Sequence, residues 1–180
     1  MPEVAASITL LLWNIRSPIN LGMLLRVAET YQVAVAVHGS TDILGSSEKM
    51  RTVSDFACGA LQRIGLTELR DEAAVTAFSQ GRRVIATTIE RSSSRLDRFA
   101  PAAGDIFMLG NEYDGLPASA LAMAELAVHI PMADVWTPKP QSHQPIDAQR
   151  SATVSRDGMP SLNVAMAGGI ICYRWHTSRD

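Results

Sequence analysis

The sequence predicts an α/β domain with a mostly parallel sheet. Short apolar runs of strand length alternate with helix-length segments that carry one apolar face. The chain has 180 residues, 47% of them hydrophobic and 19% charged. That is room for one domain, and the composition excludes disorder, collagen and a coiled coil.

The elements follow in order. Residues 8–13 (ITLLLW) read as a buried strand. Residues 21–31 read as a helix, because Leu21, Leu24, Leu25 and Ala28 share one face; Asn20 suits its N-cap. Residues 33–37 (VAVAV) form a second strand. The polar stretch 38–60 reads as a loop with at most a short helix, and 61–66 as a weak strand. Residues 70–80 are helical, with Gly81 where a C-cap belongs. Residues 84–88 and 105–109 are strands, and Pro117 opens a helix running to Met123. Residues 126–130 form a further strand, and 162–175 a last helix rich in small residues. The segment 133–160, with Pro138, Pro140, Pro145 and Pro160, reads as a long functional loop.

The net charge of −2 gives no global basic field, so a polyanion would meet a local patch. Arg82, Arg83, Arg91, Arg95 and Arg98 against Glu90 and Asp97 make such a patch. Cys58 and Cys172 form no CxxC pair, which predicts a reducing compartment, and Cys58 is expected in the core. No apolar run reaches the ~18–20 residues of a membrane span, and the start MPEVAAS lacks the basic residues of a signal peptide. The expectation is a soluble cytoplasmic protein. His38, His129, His143 and His176 lack metal-ligand spacing, so no metal is expected. A GxGxxG turn, a P-loop and a GxSxG elbow are missing.

Three stretches carry chemistry. The first is Pro18-x-Asn20-x-Gly22-x-x-x-Arg26, at a strand-to-helix turn. An arginine there can grip a phosphate, although an N-cap, a packing glycine and a surface arginine would read the same. The second runs from Leu109 and Gly110 through Asn111, Glu112, Tyr113 and Asp114 to Gly115 and Leu116; its glycines let backbone approach a ligand. The third joins Ile130-Pro131-Met132 to Ser161-Leu162-Asn163-Val164. Ser161 could cap the last helix, with Asn163 just inside it as a positioning residue.

In this order the three stretches resemble the motifs of the SpoU (TrmH) family of RNA ribose 2′-O-methyltransferases, in the SPOUT superfamily. The similarity runs from about Ile8 to Trp175. The resemblance implies a trefoil-knotted α/β domain spanning 1–180, with an insert at 133–160 that is longer than the family's usual connection. It also implies a homodimer in which the first and last helices pack across the interface. Gly168 and Gly169 fit close packing there, since a mid-helix glycine costs about 1 kcal/mol relative to alanine. Ala165 stands where many members carry serine.

The resemblance further implies S-adenosylmethionine as methyl donor and tRNA or rRNA as substrate; the compact single-domain size favours tRNA. Asn20, Arg26, Glu112, Ser161 and Asn163 would form the catalytic centre. Ala86, Thr87, Leu109, Gly110, Ile130, Met132 and Leu162 would frame the cofactor. Arg26, Arg91, Arg95 and Arg98 would contact RNA. A non-catalytic RNA-binding or cofactor-binding module on the same fold is the alternative.

Overall fold

The computed structural model describes residues 7–89, 93–111, 113–132 and 162–179. Seven strands in these residues form one wholly parallel sheet: β1 (Thr9–Trp13), β2 (Ala34–His38), β3 (Thr67–Leu69), β4 (Val84–Thr88), β5 (Ser94–Arg95), β6 (Ile106–Leu109) and β7 (Leu126–His129). Their order is β3-β2-β1-β6-β4-β7-β5. β1 lies at the centre, with Thr9 opposite both Ala34 and Ile106. Its five residues are all buried, as a strand covered on both faces requires.

Helices cover the two faces. On one lie α1 (Pro18–Thr30), α3 (Ser47–Ala57), α4 (Ala60–Ile64) and α7 (Val164–Thr177), sharing a core with Leu10, Leu12, Val35, Ile85 and Phe107. On the other lie α5 (Glu72–Ser79) and α6 (Ala118–Met123), packed on Leu11, Ala36, Ala86 and Met108. A short α2 (Thr41–Leu44) precedes α3.

Several boundaries differ from the sequence reading. The stretch 38–60 is largely helical. Only Val53 and Ala57 of α3 are buried, so the apolar signal is thin, but Ser46 caps the helix by accepting from the Lys49 N–H. Residues 61–66 are not a strand: α4 occupies most of them, and β3 follows. Asn20 is not an N-cap. Ser17 is, accepting from the Asn20 N–H, with Pro18 opening the helix and Asn20 buried in its first turn.

Cys58 is exposed rather than in the core, because it ends α3 in a left-handed conformation (φ 51°); Cys172 is the buried thiol. Burial pushes the Cys172 thiol up to about 12. Among the described residues no helix is long and apolar enough to cross a membrane, and no cluster of metal-ligating side chains is present.

Two glycines set how closely the helices approach. A Cβ at Gly22 would meet the Val53 carbonyl at 2.6 Å and the Phe56 Cβ at 2.7 Å, so this glycine lets α1 lie against α3. A Cβ at Gly168 would collide with Leu24, so α7 lies against α1 within the same chain. Gly169 has no such neighbour and faces outward.

Candidate active site

In an open parallel sheet, ligands bind beyond the carboxyl ends of the strands, where strand order reverses. Here β6 and β4 run side by side, with β7 beyond β4. Their carboxyl ends bring together Leu109 and Gly110, Ala86 and Thr87, and Ile130 to Met132. Three stretches far apart in sequence thus share one edge.

The loop after β6 is tightly organised. The Asn111 side-chain Oδ1 accepts from the Tyr113 N–H at 2.8 Å and the Asp114 N–H at 2.7 Å, and Gly115 donates its N–H to the Asn111 carbonyl. The turn folds back so closely that a Cβ at Gly110 would overlap the backbone of Gly115 and Leu116. Asn111 was missed as a site residue by the sequence reading. Its signal was an asparagine two residues before a backbone N–H it can accept from.

At the head of α7, Asn163 performs two tasks. Its Oδ1 accepts from the Ala165 N–H at 2.8 Å, so Asn163 is itself the N-cap rather than a residue inside the helix. Its Nδ2 donates to Oδ1 of Asn20 at 3.0 Å. Asn20 is only 7% exposed, so this bond fixes the head of α1 to the head of α7.

The other predicted residues fall as follows. Arg26 lies exposed two turns along α1, with Nη1 directed at the Cys58 sulfur at 3.5 Å. Leu109, Ala86 and Ile130 are buried, Met132 is half-buried and Leu162 is exposed. Arg95 and Arg98 are exposed; Arg95 forms a bidentate pair with Asp97 and holds its carboxyl below the usual range. Glu112, Ser161, Arg91 and the insert 133–160 lie outside the described residues.

Arg82 and Arg83 do not join the exposed patch. They sit at the opposite end of β4: Arg82 donates to the Gly104 carbonyl and Thr9 Oγ1, and Arg83 pairs with the buried Asp105 at 2.6 Å.

A nucleoside-bearing ligand needs apolar walls, close backbone and a few polar groups. Gly110 and the buried Leu109 and Ile130 meet the first two needs. Thr87 adds a shielded hydroxyl that has no hydrogen-bond partner among the described residues. An unmet buried hydroxyl is costly, so a ligand atom reaching it would supply the missing bond. The residues at this edge fit S-adenosylmethionine.

Solved structures of RNA-methylating proteins share this α/β fold and superpose on the chain. One, solved for the 2-OH methylation of C/U34 on tRNA, aligns with a TM-score of 0.69 at 24% identity over 97% of each chain. The SpoU methyltransferase AviRb from Streptomyces viridochromogenes, in complex with AdoMet, gives 0.74 at 18% identity over 99% of this chain and 62% of its own. An AdoMet-bound rRNA methyltransferase from Sinorhizobium meliloti gives 0.69 at 22% over 95% and 56%. The chain therefore spans less than two thirds of those last two proteins. No curated protein sequence matches it. The SpoU rRNA Methylase family model matches residues 7–137, well over half of the chain. The chain belongs to this family of RNA ribose 2′-O-methyltransferases.

Proposed function

We propose that this chain transfers a methyl group from S-adenosylmethionine to a ribose 2′-hydroxyl of tRNA. The observation that carries the reading is the Asn163–Asn20 bond, which joins the first and third motifs at the ligand-binding edge of the sheet. The choice of tRNA follows the relative described for the 2-OH methylation of C/U34 on tRNA, whose fold aligns over 97% of this chain.

The donor supplies a sulfonium-activated methyl group. The protein has to hold the 2′ oxygen in line with it and stabilise that oxygen as its proton leaves. Gly110, Leu109, Ile130, Met132, Leu162, Ala86 and Thr87 form the cofactor walls. A guanidinium stays charged at neutral pH, so Arg26 acts by charge, holding the phosphate beside the target ribose and countering the developing alkoxide. Asn20, fixed by Asn163, is assigned to the same centre with Glu112 and Ser161. Arg91, Arg95 and Arg98 contact RNA phosphates.

A second copy covers the outward face of α1 and α7. There Ile19, Met166, Ile170 and Tyr173 are 40–58% exposed around a shallow apolar groove at Gly169. A monomer leaves such a surface open at a cost, and a homodimer would bury it. The two unpaired thiols suit a cytoplasmic location.

Calorimetry with S-adenosylmethionine, followed by methyl transfer to bulk tRNA and bulk rRNA, tests the reading. Wild type should bind the donor and form alkali-resistant 2′-O-methyl linkages in tRNA. Arg26→Ala should lower kcat by about 100-fold with donor affinity kept. Donor binding with no transfer to either RNA would overturn it.

A further inference from the structure

Arg16 and Tyr113 were given no role above, yet they meet beside the site. Asn14, in a left-handed conformation (φ 54°), turns the chain as β1 ends, and the buried Ile15 anchors the turn. Arg16 follows, half-exposed, immediately before the cap of α1. Its guanidinium lies 5.7 Å from the centre of the Tyr113 ring and 3.7 Å from an Asp114 carboxylate oxygen. Tyr113 and Asp114 are held by the Asn111 side chain, so they stand on a rigid turn.

The ion pair does not explain this arrangement by stability. At 3.7 Å, with side chains 48% and 62% exposed, it falls among surface pairs that contribute little. What the arrangement presents is an aromatic ring with a cation against it, on the β1–β6 side of the edge. The cofactor walls lie on the other side of β6, towards β4 and β7. Two strand spacings are about 10 Å, within the span of one nucleotide. Aromatic rings and guanidinium planes are the groups on which unpaired RNA bases stack.

We propose that Tyr113 and Arg16 form the platform for a nucleobase at or next to the target ribose, with Arg16 also drawn to a phosphate. The proposal rests on the RNA methyltransferase reading and names a contact within it. Asp114 keeps the guanidinium against the ring until RNA arrives. The pair acts on substrate binding and has no part in donor binding.

The test uses the full-length chain and bulk tRNA. Affinity is read by fluorescence anisotropy without donor, so a failure of catalysis and a failure of the platform are distinguishable; KM and kcat are then read with donor. Tyr113→Ala should weaken RNA binding and raise KM about tenfold, while Tyr113→Phe, which keeps the stacking face, should stay near wild type. Arg16→Ala should weaken binding several-fold and lower the salt dependence by about one phosphate contact. Donor affinity and kcat at saturating RNA should hold within twofold for all three. Unchanged RNA affinity in Tyr113→Ala and Arg16→Ala overturns the proposal. So does a parallel loss of donor affinity, which would make the pair a brace for the cofactor loop, and so does failure of wild type to bind tRNA.

Discussion

The two ends of the same sheet use arginine in opposite ways. At the amino end, Arg82 reaches Thr9 and the Gly104 carbonyl, and Arg83 locks onto Asp105, which is 3% exposed and also accepts the Ala102 N–H. These guanidiniums tie β1, β4 and β6 together at their starts. At the carboxyl end, Arg16 and Arg95 lie at the surface, one beside a ring and one beside a surface carboxylate. Five residues of β4 separate the two settings, about 16 Å of extended chain. The same residue type braces strand starts against a buried carboxylate at one end and lies at the surface at the other.

Breaking the carboxyl end should have the largest effect. Gly110→Ala drives a methyl group into the backbone of Gly115 and Leu116, where no flexible side chain can give way. We expect methyl transfer to fall below detection and donor affinity to fall by more than tenfold. Circular dichroism should remain that of a folded protein. Retained donor affinity would show that the turn does not shape the cofactor wall.

Breaking the amino end should damage stability and spare chemistry. Asp105→Ala leaves Arg83 without its partner and the Ala102 N–H without its acceptor. The expected cost is about 3 kcal/mol, or roughly 10 °C in melting temperature, with kcat per folded molecule unchanged. A fall in kcat matching that of Arg26→Ala would erase the contrast between the ends.

The smallest effect concerns the buried thiol, Cys172. The Cys172 thiol is raised by burial to about 12, so it stays neutral in the folded protein well above the pH at which an unfolded chain ionises it. Stability is therefore complete below about pH 9 and declines as pH rises towards 12, by up to about 1.4 kcal/mol per pH unit. Denaturant melts at pH 7.5, 9 and 10 would measure it. A thiol reagent should label one cysteine, Cys58, in the native protein and both after unfolding.

Much of the fold was legible because β1, β2, β4 and β6 are dense apolar runs separated by helix-length segments. The amphipathic faces of α1 and α5 were equally plain. What escaped depended on contacts between distant residues. α3 buries so little of itself that its sequence resembles a loop; it is held by Gly22, a residue of another helix. Asn20 has the right type for an N-cap, but Ser17 and Pro18 start the helix earlier, and the Asn20 side chain accepts from Asn163 instead. The basic stretch from Arg82 to Arg98 reads as one patch along the chain and is divided by β4 in space. Asn111 shows its purpose only once the turn is closed.

The Asn163–Asn20 bond spans 143 residues, and that separation has a consequence for how the protein comes into being on the ribosome. Strands β1, β2 and β6 and the helices between them emerge first. The apolar side of α1 that Gly168 approaches stays uncovered until α7 follows. Contacts of such long sequence separation form slowly and late. Synthesis therefore has to reach α7 before the two asparagines can meet, and a chain stalled before that point would leave the apolar side of α1 uncovered. The pairing of the two asparagines is possible only once α7 has been translated.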